Sequence, residues 1–175
     1  MHLIIDGYNL LATVGKSGAS RGLQSETARD ALVKTLASYR QRKGHVVTLV
    51  FDGWQQGRPI ETREHQVGVE VIYSKRGERA DQVIQRLARE YGSDCAVVSS
   101  DHEIVNYAKV QGAFVMTAQE FSAKLDIIAP AERMIVHKEL DQEEHLRPKR
   151  GSDKRGNPRK LPKALRQRSR RLKRF

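Results

Sequence analysis

HVVTLVFDG, residues 45–53, is an apolar run of strand length that stops at an acid and a glycine. Apolar residues at consecutive rather than alternate positions imply burial on both faces, as in the strands of a parallel sheet. A shorter run, Leu3–Ile5, ends the same way, in Asp6 and Gly7. Between the two, Ser25 stands where a helix cap belongs. Ala28, Ala31, Leu32, Thr35, Leu36 and Tyr39 then recur at three and four residues as inward positions, and Gly44 supplies the stop. Strand, helix and strand in that order predict a β-α-β unit. Farther on, Val69–Tyr73 reads as a strand. Ala80–Tyr91 reads as a helix with Val83, Ile84, Leu87 and Ala88 inward and Gly92 as its terminator. Cys95–Val98 is a strand, Asp101–Gln111 a helix ended by Gly112, and Ala113–Met116 a further strand. Thr117 and Glu120 fit a capping box that opens a short helix through about Leu125. The pattern predicts an α/β three-layer sandwich around a five-stranded, mainly parallel sheet.

A chain of 175 residues and 19.9 kDa suits one compact domain with an appended segment. Its single cysteine, Cys95, excludes an internal disulfide framework and a cysteine-rich zinc site. No stretch approaches the roughly 18 apolar residues of a membrane span, and the N-terminus lacks a signal-type pattern, so the expectation is a cytoplasmic protein without membrane attachment. The formal charge of +11 is concentrated at one end. Residues 147–175 hold 14 Lys or Arg against one acid, Asp153, which leaves 18 basic and 20 acidic residues before them and a body of −2. Three prolines, two glycines and few large apolar residues make this tail a poor core-former, predicted disordered or helical only on a partner. The expected division is a domain over 1–126, its extension over 127–146, and the basic tail over 147–175.

Four aspartates sit where an apolar run stops or a helix begins: Asp6, Asp52, Asp81 and Asp101. Each alone has a plain structural use. Asp81 and Asp101 suit the first turn of a helix, and Asp6 and Asp52 suit turns before Gly7 and Gly53. Independent structural uses do not require all four at one rim of the sheet, however. In open parallel sheets the functional crevice lies outside the carboxyl ends of the strands. Several carboxylates gathered there match the oxygen ligands that Mg²⁺ or Mn²⁺ requires.

The order of the motifs adds a resemblance. IIDGYNLL at 4–11, VFDG at 50–53, GERADQVI at 77–84 and SSDHEI at 99–104 resemble the successive motifs of the NYN domain, in particular the YacP-like ribonucleases within the PIN-like, Rossmann-like fold. The resemblance spans roughly residues 2–125. It implies metal-dependent endonucleolytic cleavage of RNA, with Asp6, Asp81 and Asp101 as the acidic metal core and Asn9 orienting substrate or bound water.

Other residues stay open between two uses. Asp52 serves as a ligand or supports its turn; Glu78, three residues before Asp81, joins the rim or only begins a helix. The resemblance implies an acid at position 85 in many relatives; this chain has Gln85, which weakens the case for a second metal. Glu103 points away from Asp101 if both lie on a helix. Gly15-Lys16-Ser17 lacks the earlier glycine of a phosphate-binding P-loop. It reads instead as part of a loop from Val14 to Gly22, whose Lys16 and Arg21 would touch RNA phosphates. Trp54 is either a base-stacking platform or packed against its own loop. The six histidines show no ligand spacing. In the tail, Leu161–Phe175 would form a basic helix whose Arg166, Arg170 and Arg171 neutralise phosphates, tethering the chain to RNA or the ribosome. The expected activity is that of a metal-dependent endoribonuclease. The alternative is a catalytically silent RNA- or ribosome-binding protein, and a phosphatase is disfavoured because Asp6-Gly7-Tyr8 lacks a second aspartate.

Overall fold

The structure, a computed structural model, describes residues 1–14, 25–53, 59–126 and 163–175. They fall into two units, Met1–Ile127 and Ile128–Phe175. The first contains β1 (His2–Asp6), α1 (Gly7–Val14), α2 (Glu26–Lys43), β2 (Val46–Phe51), β3 (Thr62–Gln66), β4 (Val69–Tyr73), α3 (Ala80–Tyr91), β5 (Cys95–Val98), α4 (His102–Val110), β6 (Phe114–Met116) and α5 (Ala118–Asp126). The expected extension at 127–146 and the tail residues 147–162 lie outside the described residues.

The sheet has six strands in the order β3-β4-β2-β1-β5-β6. Five are parallel, with Leu3 opposite Val47, Ile5 opposite Val98 and Phe51 opposite Tyr73. These are the five strands expected from sequence. The sixth, β3, corrects the count; it pairs antiparallel to β4 at the sheet edge, Thr62 opposite Tyr73. Its sequence, TREHQ, has no apolar side chain and so no hydrophobic pattern. An edge strand can form from one row of backbone bonds, and polar residues there also discourage pairing with other chains.

The β3–β4 turn is strained. Val67 has φ 49° and Gly68 φ 81°, a left-handed pair that suits asparagine followed by glycine and is unfavourable for a β-branched residue. Val67 is exposed, so little packing offsets the strain. Val67→Asn is expected to stabilise the domain by about 1 kcal/mol, read as a higher urea midpoint at unchanged slope.

The helices follow their caps. Ala28 donates its N–H to Ser25 Oγ at 3.2 Å to open α2, and Gly44, at φ 68°, donates to the Arg40 carbonyl at 2.8 Å to close it. The inward stripe is Leu32, Val33, Leu36, Ala37 and Tyr39, whereas Ala31 and Thr35, expected inside, are exposed. The Thr35 hydroxyl bonds to the Ala31 carbonyl instead. At α5, Thr117 and Glu120 form the expected reciprocal box, with Glu120 N–H to Thr117 Oγ1 at 3.1 Å and Thr117 N–H to Glu120 Oε2 at 3.0 Å. Helix α1 was not anticipated, because Asp6-Gly7 reads equally well as a turn.

One face of the sheet packs against α3 and α4. Ile4, Val50, Ile72 and Val97 meet Val83, Ile84, Leu87, Ile104 and Ala108 there, all buried. Each of the valine, leucine and isoleucine side chains contributes about 1.5–3 kcal/mol by leaving water. Helices α1, α2 and α5 cover the other face, where Tyr8 meets Phe51 edge-on at 5.1 Å and Tyr39 meets Phe121 at 5.2 Å. In the second unit, α6 (Lys163–Leu172) is an exposed helix carrying Arg166, Arg168, Arg170 and Arg171, with Arg166 and Arg170 one turn apart. No helix among the described residues is long and apolar enough to cross a membrane.

Candidate active site

Strand alternation places the acids. Successive side chains point to opposite faces, so a residue two positions beyond a core residue lies on the same side. Asp6 follows Ile4 by two, Asp52 follows Val50, Ser74 follows Ile72, and Ser99 follows Val97. All four of those apolar partners belong to the cluster beneath α3 and α4. The pleat therefore carries Asp6, Asp52, Ser74 and Ser99 to one corner at the carboxyl ends of the strands. Strand order reverses between β1 and β5, so Asp6 and the segment Ser99–Asp101 flank the crevice that such a reversal opens. Asp81, in the first turn of α3, reaches the same corner and senses the charges of Asp101, Glu103 and Asp52.

The two Asp-Gly pairs are needed for close approach. A Cβ on Gly7 would lie 2.4 Å from the Phe51 ring, and one on Gly53 would lie 2.0 Å from the Ser74 carbonyl oxygen. Glycine lets the chain turn straight from each acid into packed structure.

A hydrogen-bond chain fixes the central carboxylate. Asp6 Oδ1 accepts from the Asn9 N–H at 3.1 Å and caps α1, while Oδ2 accepts from the Ser99 hydroxyl at 3.2 Å. Ser99 Oγ in turn accepts from the Asp101 N–H at 3.1 Å, and Asp101 Oδ1 accepts from the Glu103 N–H at 2.7 Å, capping α4. Asn9 Oδ1 accepts from the Ser100 N–H at 3.2 Å, and Ser100 Oγ accepts from the Ala118 N–H at 3.2 Å. Three helix N-termini are thereby tied to one rim. Asp52 Oδ1 accepts from the Ser74 hydroxyl at 3.1 Å, and the same Ser74 Oγ accepts from the Gly53 N–H at 3.0 Å. Ser74, Ser99 and Ser100 were not singled out from sequence; only the Ser-Ser-Asp motif pointed to two of them.

Charge is crowded here. Burial pushes Asp6, 9% exposed, from 3.8 up to about 6, against the hydrogen bonds from Asn9 and Ser99, and the neighbouring charges of Asp81 and Asp101 add to the rise. Asp81 is also raised, first by burial and then by Asp101, Glu103 and Asp52, with Arg79 opposing. The Arg79 guanidinium pairs with Asp81. Glu78 Oε1 accepts from Arg86 at 2.8 Å, and Arg86 also holds Glu61. The other Glu78 oxygen, Oε2, is buried without a hydrogen bond, and Asp81 Oδ2 is the atom that the Arg79 guanidinium meets. Gln85 lies one turn beyond Asp81, half-buried; His102 and Glu103 are exposed. Lys16, Arg21 and Trp54 lie outside the described residues. Arg166, Arg170 and Arg171 belong to the second unit.

The donor set is all oxygen, and it includes one buried carboxylate oxygen, Glu78 Oε2, without a hydrogen bond. That chemistry fits a hard divalent cation. Among the described residues, however, no three acids or histidines stand close enough together to hold one.

The matches to known proteins agree with this architecture. Residues 3–166 fit the family model of the YacP-like NYN domain. The chain belongs to this family. The uncharacterized protein YacP of Bacillus subtilis (strain 168) is 30% identical over 129 residues, covering 72% of this chain and 75% of that protein. The crystal structure of Rae1 (YacP) from Bacillus subtilis superposes with a TM-score of 0.59 at 29% identity, covering 79% of each chain. A point-mutant structure of Rae1 gives 0.61 at 31%, covering 78% of this chain and 80% of that one. The fold is thus that of the PIN-like YacP group, with a mixed six-stranded sheet. YacP-like NYN proteins are generally ribonucleases, which sets the broad functional class.

Proposed function

We propose that the chain is a metal-dependent endoribonuclease that cleaves RNA phosphodiester bonds with Mg²⁺ or Mn²⁺ at the Asp6 corner. The observation that carries the reading is Asp6 itself, a buried carboxylate pushed up to about 6 beside Asp81 and Asp101, where strand order reverses. Ionising such a group costs more than in water, and a bound cation would offset that cost. Asp6, Asp81 and Asp101 would hold the ion, with Asp52 and Glu78 as further oxygen donors. When bound, the ion supplies a water of lowered pKa and takes up charge on the leaving oxygen.

The protein's own groups do the positioning. Asn9 N–H and Ser99 Oγ–H orient the Asp6 carboxylate, and the Asp101 N–H fixes Ser99 in turn. With Asn9 Oδ1 engaged by Ser100, its amide N–H₂ is the group left to donate to a phosphate oxygen or to the attacking water. No serine or cysteine nucleophile is required. The purified chain is expected to cut end-labelled RNA internally in Mn²⁺ and not in EDTA. RNA that stays bound but intact in both would instead favour the silent binder, a reading supported by the lack of three convergent ligands among the described residues.

The tail supplies substrate attraction in this reading. Arg166, Arg170 and Arg171 on α6 are exposed and suit phosphate neutralisation, on free RNA or on a ribosomal RNA surface in the cytoplasm. A chain ending before Arg147 is expected to lose at least about tenfold in RNA affinity at 100 mM salt, with a flatter dependence of log affinity on log salt. Filter binding across a salt series checks this; unchanged affinity and slope would remove the tether.

A further inference from the structure

The acids on the α3 side of the rim are held by arginines, whereas those on the β1 and β5 side are held by neutral donors. Asp6 and Asp101 accept from backbone N–H groups, and Asp6 also from the Ser99 hydroxyl. Glu78 is held by Arg86, and Asp81 by Arg79. The two arginines differ. Arg86 bridges Glu78 and Glu61 together, with its side chain 43% exposed, so releasing it would strand two carboxylates. The Arg79 side chain is 68% exposed and pairs with Asp81, whose own side chain is 17% exposed.

We infer that Arg79 is a built-in competitor for the cation: its guanidinium occupies the Asp81 carboxylate in the metal-free chain and must swing into solvent before Asp81 can join Asp6 and Asp101. The inference rests on the metal-site reading above. Asp81 lies in the field of Asp101, Glu103 and Asp52, so this corner attracts a positive charge whether or not a divalent ion is present. Among the described residues, Arg79 is the positive group that pairs with Asp81. Its backbone is anchored, since its N–H donates to Gln82 Oε1 at 3.1 Å at the start of α3. Only the flexible side chain has to move, so the helix is unaffected by the exchange. One member of the expected trio, Asp81, is thus already engaged by a cationic group. A half-exposed ion pair is weak, so Arg79 tunes the cation affinity rather than blocking the site.

Titration calorimetry of Mn²⁺ into the full chain tests the idea without reference to activity. Arg79→Gln is expected to bind Mn²⁺ about three- to tenfold more tightly than the parent, and Arg79→Lys about as the parent does. The gain should vanish when Asp81→Asn is present in both members of the comparison. Equal or weaker binding by Arg79→Gln, with Asp81→Asn still weakening Mn²⁺ binding, would overturn the inference and leave the metal site standing. A gain that persists beside Asp81→Asn would also overturn it, by showing a general charge effect. If Asp81→Asn alone leaves Mn²⁺ affinity unchanged, Asp81 is not a ligand and both readings fail.

Discussion

Asp6→Asn combined with Asp101→Asn is expected to reduce Mn²⁺-dependent RNA cleavage by at least about a thousandfold, or about 4 kcal/mol of barrier, while RNA binding changes less than about twofold. Asparagine keeps the shape of each side chain and can still accept the N–H bonds from Asn9 and Glu103. It removes the two charges a divalent ion needs. Binding is spared because the phosphate-neutralising residues are placed on the tail. Single-turnover cleavage of labelled RNA measures the first quantity and filter binding the second. Cleavage at the parent rate would place the chemistry elsewhere, and joint loss of cleavage and binding would point to damage to the fold.

The second large effect has the opposite sign and concerns stability. The Asp6 carboxyl rises from 3.8 to about 6 in the folded chain, so between those values the folded state holds a proton that the unfolded state has released. Unfolding stability therefore falls as pH rises through about 4 to 6 and stays lower above it. A shift of two units corresponds to at most about 3 kcal/mol. Asp6→Asn alone, in EDTA at pH 7.5, is expected to be more stable than the parent by about 1–3 kcal/mol. The difference should close below about pH 4, where the parent carboxyl is protonated in both states. Urea unfolding at a series of pH values reads this directly. A variant less stable than the parent at pH 7.5 would show that the charged form is well solvated or paired, contrary to its burial. The expected pattern, a stabilised but inactive variant, is how a strained functional site behaves when its function is removed.

These effects arise from a corner whose position was legible in the sequence and whose wiring was not. The five parallel strands announced themselves because a strand buried on both faces is apolar at consecutive positions, as His45–Phe51 nearly is. Ser25, Gly44, Thr117 and Glu120 marked helix ends through the backbone groups they satisfy. Strand β3 left no such mark, since an edge strand of Thr, Arg, Glu, His and Gln forms from backbone pairing with β4. Helix α1 was hidden because aspartate followed by glycine suits a turn and a helix start equally. At the site, the spacing of the aspartates relative to the strand ends was readable. The hydrogen bonds of Ser74 and Ser99 were not, because they join residues 22 and 93 positions apart. The pairing of Arg79 with Asp81 escaped for a different reason. Two residues apart at a helix start, they meet only because the backbone there is extended at Arg79, with φ −85° and ψ 152°.

The most direct measurement is a crystal structure of the chain grown with Mn²⁺ and recorded at a wavelength where manganese scatters anomalously. An anomalous peak is expected within ligand distance of Asp6, Asp81 and Asp101, with the Arg79 side chain turned away from Asp81. A saturated crystal with no peak at this corner, or a peak bound by other residues, would contradict it.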